Sequence, residues 1–230
     1  MSNLILPTLE QLKAGTALLI NKPYRWTSFD VVHKLRKPIQ TKVGHAGTLD
    51  PLATGLLICC TGPFTKKITE FQMLPKVYTG IFHLGAQTPT YDLESQPEQF
   101  KDYSQLSHQD IINACKPFIG DILQIPPAHS AIKKDGQRAY SLARAGKEVQ
   151  LDPRPIHISA FEITAIEGPE VHFSVSCSTG TYIRSLAHDF GQALGCGAYL
   201  KKLVRTQIGS YSLEQAFELD QLINHLKTNV

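Results

Sequence analysis

The stretch Gly44-His-Ala-Gly-Thr-Leu-Asp-Pro-Leu-Ala-Thr-Gly55 constrains this chain more than any other. It sets three glycines, one proline and a compact group of histidine, threonine and aspartate side chains directly before the apolar run Leu56-Leu-Ile-Cys-Cys60. Glycines let the backbone turn tightly and approach a ligand. Pro51 biases Asp50 towards an extended conformation, so the carboxylate projects from the loop. The pattern predicts a rigid loop feeding a buried strand. An aspartate held in this way serves as nucleophile, base or metal ligand. Equally, it closes an Asx turn by capping local N–H groups.

The rest of the chain bounds the setting. At 230 residues, 42% apolar and 19% charged, it has ordinary globular composition. No apolar run approaches the roughly 20 residues that span a bilayer. Met1 to Pro7 lacks the basic region and the apolar length of a secretory signal, so a cytoplasmic protein is expected. The five cysteines, Cys59, Cys60, Cys115, Cys177 and Cys196, form no C-x-x-C pair and read as buried free thiols.

Charge is informative through its distribution, because 23 basic minus 20 acidic side chains leave only +3. Between Lys22 and Asp50 lie Lys22, Arg25, Lys34, Arg36, Lys37 and Lys42, with His33 and His45. A second cluster, Lys133, Lys134, Arg138, Arg144, Lys147 and Arg154, follows Ile125-Pro-Pro127, and a third gathers Arg184, Lys201, Lys202 and Arg205. On one face, these segments would hold a polyanion through its phosphates. Spread apart, they are three solvated surfaces.

Hydrophobic periodicity outlines the elements. Ala17 to Ile20, Leu56 to Cys60 and Val77 to Leu84 read as strands. Thr27 with Asp30 marks the start of a helix that presents Val31, Val32 and Leu35 and ends at Pro38, and Ser107 with Asp110 starts one reaching Phe118. Ile156 to Ile166 and Val171 to Cys177 read as paired strands. A helix from Tyr182 to Leu194 stops at Gly195, and an amphipathic helix runs from Leu213 to Leu226. Ile125 to Pro155 is a basic, loop-like insertion with a short helix near Tyr140 to Ala145. Irregularly interleaved strands and helices point to an α+β domain with a mixed sheet.

The Gly44–Gly55 stretch resembles the catalytic motif of TruB-type tRNA pseudouridine synthases. Further matches follow in order: Asn21-Lys22-Pro23, Lys76-Val-Tyr78, Ser178-Thr-Gly-Thr-Tyr-Ile-Arg184, and Gly195-Cys-Gly-Ala198 with Leu203-Val-Arg205. Ala46 stands where the family commonly has a second threonine, and Phe64-Thr-Lys66 where it has Ala-Thr-Lys. The resemblance implies a pseudouridine synthase fold, with a central mixed, mostly antiparallel sheet flanked by helices and loops. It further implies one catalytic domain over 1–230 with a basic thumb insertion at about 125–155. The C-terminal RNA-binding module of the PUA type, carried by many bacterial relatives, is expected to be absent.

The activity so implied is isomerisation of uridine-55 in the tRNA T-loop, with no cofactor, nucleotide or metal. Asp50 is the implied nucleophile, acting at uracil C6 or assisting departure of the base from C1′. Arg184 is implied to pair with Asp50, Tyr78 to stack on the flipped base, Tyr182 to form a second pocket wall and Leu203 to pack beside the base. His45 is implied to fill the gap the nucleotide leaves, while Lys22, Lys66 and the insertion contact phosphates. The implied partner is tRNA, through its T-arm and T-loop, with no membrane and no obligate protein partner, so a monomer is expected. Two other readings compete. One is a non-catalytic RNA-binding or tRNA-folding protein, to which a carboxylate aimed at an anion brings nothing. The other is a metal hydrolase built on His45, Asp50 and His188-Asp189, for which no H-x-x-x-H or H-E-x-x-H spacing exists.

Overall fold

The computed structural model describes residues 5–130, 132–134, 137–145 and 149–228. The chain begins with helix α1 (Leu9–Ala14), strand β1 (Ala17–Lys22), helix α2 (Ser28–Ile39) and strands β2 (Val43–Ala46) and β3 (Ala53–Thr61). A 3-10 turn (Gly62–Lys67), helix α3 (Ile68–Met73), strand β4 (Lys76–Leu84), helix α4 (His108–Asn113) and strand β5 (Gly120–Gln124) follow. Next come the short strands β6 (Lys133–Lys134) and β7 (Gln137–Arg138), helix α5 (Ala139–Arg144), strands β8 (Arg154–Glu167) and β9 (Glu170–Cys177), and helix α6 (Ile183–Ala193). Strands β10 (Ala198–Ile208), β11 (Tyr211–Ser212) and β12 (Phe217–Glu218) lead to helix α7 (Leu219–Thr228). Among the described residues no helix is long and apolar enough to cross a membrane.

These elements form two compact units, Met1–Tyr78 with Leu203–Val230, and Thr79–Lys202. In the first, β3 is buried on both faces, as its unbroken apolar run requires. Leu57 and Cys59 join Leu18, Ile20, Val31, Val32 and Leu35 and the apolar face of α7, while Leu56, Ile58 and Cys60 meet Ala46, Phe71 and Ile208. The sheet is mixed. β1 runs antiparallel to β3, whereas β12 on β1 and β10 on β3 are parallel.

Local signals set several boundaries as expected. Thr27 and Asp30 form a capping box at the start of α2, as do Ser107 and Asp110 at α4. Three expectations are corrected. α2 continues through Pro38 to Ile39 and stops at Gln40, whose φ is 55°; the missing N–H costs only one bond in the last turn. The helix begun at Ser107 ends at Asn113, and a 3-10 turn takes over at Lys116–Phe118. Pro117 lies in the first residues of that turn, where its missing N–H costs no bond. The expected helix from Leu213 starts only at Leu219, because Phe217 and Glu218 pair with Ile20 and Asn21 of β1.

In the second unit, β9 lies between β4 and β8, with β5 at the edge. β9 alternates inward and outward as its sequence predicts. Phe82 stacks on Phe173 with 4.0 Å between centroids, and Phe161 and Phe190 pack edge-on or tilted around them. In the 125–155 insertion, β6 and β7 pair antiparallel and α5 covers the expected short helix; Lys147 lies outside the described residues.

Next to this core, burial raises the Asp189 carboxyl to about 6. Its folded pKa therefore lies above the unfolded value, so the carboxyl lowers stability progressively as the pH rises from about 4 to about 6, and the loss stays in full above that. Asp189→Asn is expected to raise the thermal midpoint at pH 7.5 and to leave it nearly unchanged at pH 4. Because water screens the exposed part of the group, the stabilisation at the higher pH is on the order of 1 kcal/mol.

Candidate active site

Asp50 sits in a short loop whose position follows from how β3 is paired. β1 covers one edge of β3 from Gly55 to Cys60. On the other edge, β2 pairs with Ile58 to Thr61 and β10 with Ala53 to Gly55. The chain leaving β2 at Ala46 thus turns back through Gly47 to Leu52 at the point where one neighbour gives way to the other. Gly55 has φ 103°, and a Cβ there would collide with the backbone of Arg205. Only glycine permits the close approach of β3 to β10 at that level.

The loop is then fixed by side chains from three directions. Ser28 Oγ accepts from the Leu49 N–H at 2.8 Å and lies 3.2 Å from the Leu49 carbonyl, to which it donates. Arg205, 1% exposed, donates from Nε to the Leu56 carbonyl at 2.8 Å and from its terminal nitrogen to the Gly47 carbonyl at 3.1 Å. Lys22, with no exposed surface, donates to the carbonyls of Trp26 at 2.5 Å, Pro23 at 2.9 Å and Pro51 at 3.4 Å. The Arg25 N–H also bonds the Pro51 carbonyl, at 2.8 Å. Asp50 itself is half-buried.

Two buried cations thus hold the loop by its carbonyls, and such groups are costly to leave unpaired. Burial pulls the Lys22 ammonium down to about 8, against the Asp50 carboxylate, which acts to raise it. The expectation that Lys22 contacts phosphate is corrected here: a side chain with no exposed atom and three backbone partners has nothing to offer a phosphate. Arg205 was not among the expected site residues. Its signal was present in Leu203-Val-Arg205, but sequence spacing does not reveal that a charge is buried.

His45 lies on β2, paired with Cys59. Burial foremost, and next the Arg205 guanidinium, holds its imidazole below the usual pKa, so the ring is neutral near pH 7. Leu203 on β10 pairs with Ala53, three residues beyond Asp50, and is 7% exposed. Tyr78 is buried at the end of the β4 segment belonging to this unit, next to Val77, whose carbonyl accepts from Thr206 Oγ1 of β10 at 3.2 Å. Lys66 is exposed on the 3-10 turn after β3. The first unit therefore holds Asp50, His45, Tyr78, Leu203, Lys22 and Lys66.

Tyr182 and Arg184 belong to the second unit, at the start of α6. The Gln124 amide grips the Tyr182 backbone twice, accepting from its N–H at 2.8 Å and donating to its carbonyl at 3.0 Å. Arg184 is buried, donates to the carbonyls of Thr90 at 3.3 Å and His129 at 2.9 Å, and lies 3.7 Å from the buried Asp92 carboxylate. Ser185 Oγ donates to the Ile125 carbonyl at 2.7 Å. The first turn of α6 thus anchors the root of the 125–155 insertion.

Residues 35–183 match the model of the TruB family pseudouridylate synthase N-terminal domain, nearly two thirds of the chain. The chain belongs to the TruB family. Residues 184–229 match a second model, the tRNA pseudouridylate synthase B C-terminal domain. Among curated proteins the chain is 50% identical over 220 residues to tRNA pseudouridine synthase B of Flavobacterium johnsoniae, covering 92% of this chain and 96% of that one. It is 46% identical over 218 residues to the protein of the same name from Chlorobaculum tepidum, covering 92% and 91%. Among solved structures it resembles a chain in the crystal structure of a Cbf5-Nop10-Gar1 complex, with a TM-score of 0.72 and 28% identity. That match covers 97% of this chain and 59% of the other. As a TruB-family member the chain is a pseudouridylate synthase, an isomerase, and its mixed sheet flanked by helices is the fold of that enzyme class.

Proposed function

We propose that this TruB-family chain acts on tRNA in the cytoplasm, converting uridine-55 of the T-loop to pseudouridine with Asp50 as nucleophile. The observation that carries the reading is the Asp50 loop, clamped by the buried Arg205 and Lys22. A carboxylate preorganised in this way loses little freedom on reaching its target, which is where oriented groups gain rate. The reaction breaks the bond between N1 and ribose C1′, turns the uracil and joins C5 to C1′, and the C5 proton is lost to solvent while N1 gains one. Atoms and charge balance without any external reagent. Asp50 attacks uracil C6, or assists departure of the base at C1′; both routes end in the same isomer.

The target base must leave its stack, at a cost of a few kcal/mol. We assign Tyr78 to stack on the flipped uracil, with Leu203 and Tyr182 as further walls, and neutral His45 to fill the vacated place in the loop. Arg184, oriented by Asp92, is assigned to pair with Asp50 and hold its rotamer. Lys66 and the insertion are assigned to phosphates of the T-arm.

The test is pseudouridine mapping on an unmodified tRNA transcript incubated with the protein and with Asp50→Asn, in chelator and without added cofactor. One Asp50-dependent pseudouridine at position 55 is the expected result. A tRNA that binds and stays unmodified would overturn the reading in favour of an RNA-folding role. Modification confined to another loop would retain the chemistry and reject the site.

A further inference from the structure

The turn between β1 and α2 and the first turns of α2 carry side chains that the loop clamp does not use. Arg25, Trp26, Asp30, His33 and Lys34 line a surface recess of about 310 Å³, at the small end of ligand pockets and suited to a single nucleotide. Trp26 is the chain's one tryptophan and packs partly against the core, so its ring is held in place. Tyr24, two residues earlier and 52% exposed, has the Arg25 guanidinium 5.6 Å from its ring centroid.

Arg25 is unusual in two respects. Its φ is 65°, in the left-handed region, where a side chain costs about 1 to 2 kcal/mol relative to the ordinary conformation. Among the described residues its guanidinium also has no carboxylate partner, and neither has the Lys34 ammonium. The nearby acid does not neutralise them through an ion pair, because Asp30 Oδ2 accepts from the Thr27 N–H at 2.8 Å and from its hydroxyl at 2.6 Å to cap α2. Backbone strain is thus kept at an exposed cation that has no carboxylate partner and lines the same recess as the Trp26 ring, and strain of this kind is concentrated at functional sites.

We propose that this recess is a second nucleotide subsite. An unpaired nucleotide of the substrate RNA, other than the target uridine, stacks its base on Trp26 while Arg25 and Lys34 hold its flanking phosphates. Stacking suits any base and is worth about 1 to 3 kcal/mol in single-strand binders. An acidic peptide would satisfy the cations but gain little from the rings. The subsite shares its backbone with the catalytic loop, since Lys22 joins the Trp26 and Pro51 carbonyls and the Arg25 N–H bonds the latter. RNA seated there is held on the same rigid segment as Asp50. The inference rests on the reading that the substrate is RNA.

Because Trp26 is the sole tryptophan, its fluorescence reports the recess directly. Unmodified tRNA transcript is expected to quench it and shield it from acrylamide. Arg25→Gly, which keeps the backbone conformation, and Lys34→Glu are each expected to weaken tRNA binding about tenfold and to lower the slope of log affinity against log salt by about one. If tRNA is bound and converted while Trp26 stays equally accessible and both variants bind like the parent, the subsite is overturned and the proposed function stands. If no tRNA is bound or converted, both fail. If poly-glutamate shields Trp26 as well as RNA does, the recess is an anion site and the nucleotide reading is overturned.

Discussion

Asp50→Asn is expected to lower single-turnover conversion of tRNA on the order of 10⁴-fold or more, the scale seen when a nucleophile is removed from an otherwise intact site. The affinity for tRNA should be unchanged or slightly higher. The substitution keeps the side chain's size and removes a negative charge facing a polyanion, so binding has nothing to lose. Release of tritium from uracil C5 follows turnover, because C5 exchanges its hydrogen for the bond to C1′. Filter binding follows affinity in parallel. A fall in affinity as large as the fall in rate would contradict the role assigned to Asp50.

Arg205→Met should be the most damaging substitution that leaves every expected site residue in place. Methionine approximates the aliphatic stem but offers no donor to the Leu56 and Gly47 carbonyls. Removing the donor from two buried carbonyls costs about 2 to 6 kcal/mol. The loop is then free to shift, and a displacement of an ångström at a nucleophile is worth about 100-fold in rate. Urea denaturation with an unchanged slope measures the first effect and single-turnover kinetics the second.

Leu226→Ala separates loop placement from general weakening. Leu226 is 2% exposed in the core of the same unit, and its truncation should cost about 2 to 5 kcal/mol while leaving the rate of the folded enzyme intact. Arg205→Met should also raise the His45 pKa, because the guanidinium contributes to holding it down. A histidine titration followed by NMR reads this directly. An unmoved His45, or equal rates for the two variants at matched stability, would reduce Arg205 to a packing residue.

Much of this molecule was legible from local pattern. The Thr27 and Ser107 capping boxes, the alternation of β9 and the stripe of α6 depend on neighbours a few residues away, so the sequence reading placed them correctly. β10 escaped it. The adjacent exposed Lys201 and Lys202 interrupt its alternation, and Arg205 occupies an inward position. That strand exists because β3 pairs with it in parallel, a contact about 150 residues away along the chain. Phe217 and Glu218 were drawn into the C-terminal helix for the same reason, since their pairing with β1 is equally remote in sequence.

The site divides along the same line. Sequence alone determined that a loop rich in glycine would present Asp50 ahead of a buried strand, because backbone freedom at glycine and restriction before proline are properties of the residues themselves. Only the tertiary structure decided which cations hold that loop. Lys22 and Arg205 look like any surface charge in the sequence, and became structural because folding buried them and gathered the Trp26, Pro51, Gly47 and Leu56 carbonyls around them. Burial is a collective property of the packed chain, and it turned two basic residues from candidates for contacting RNA into the clamp that fixes Asp50.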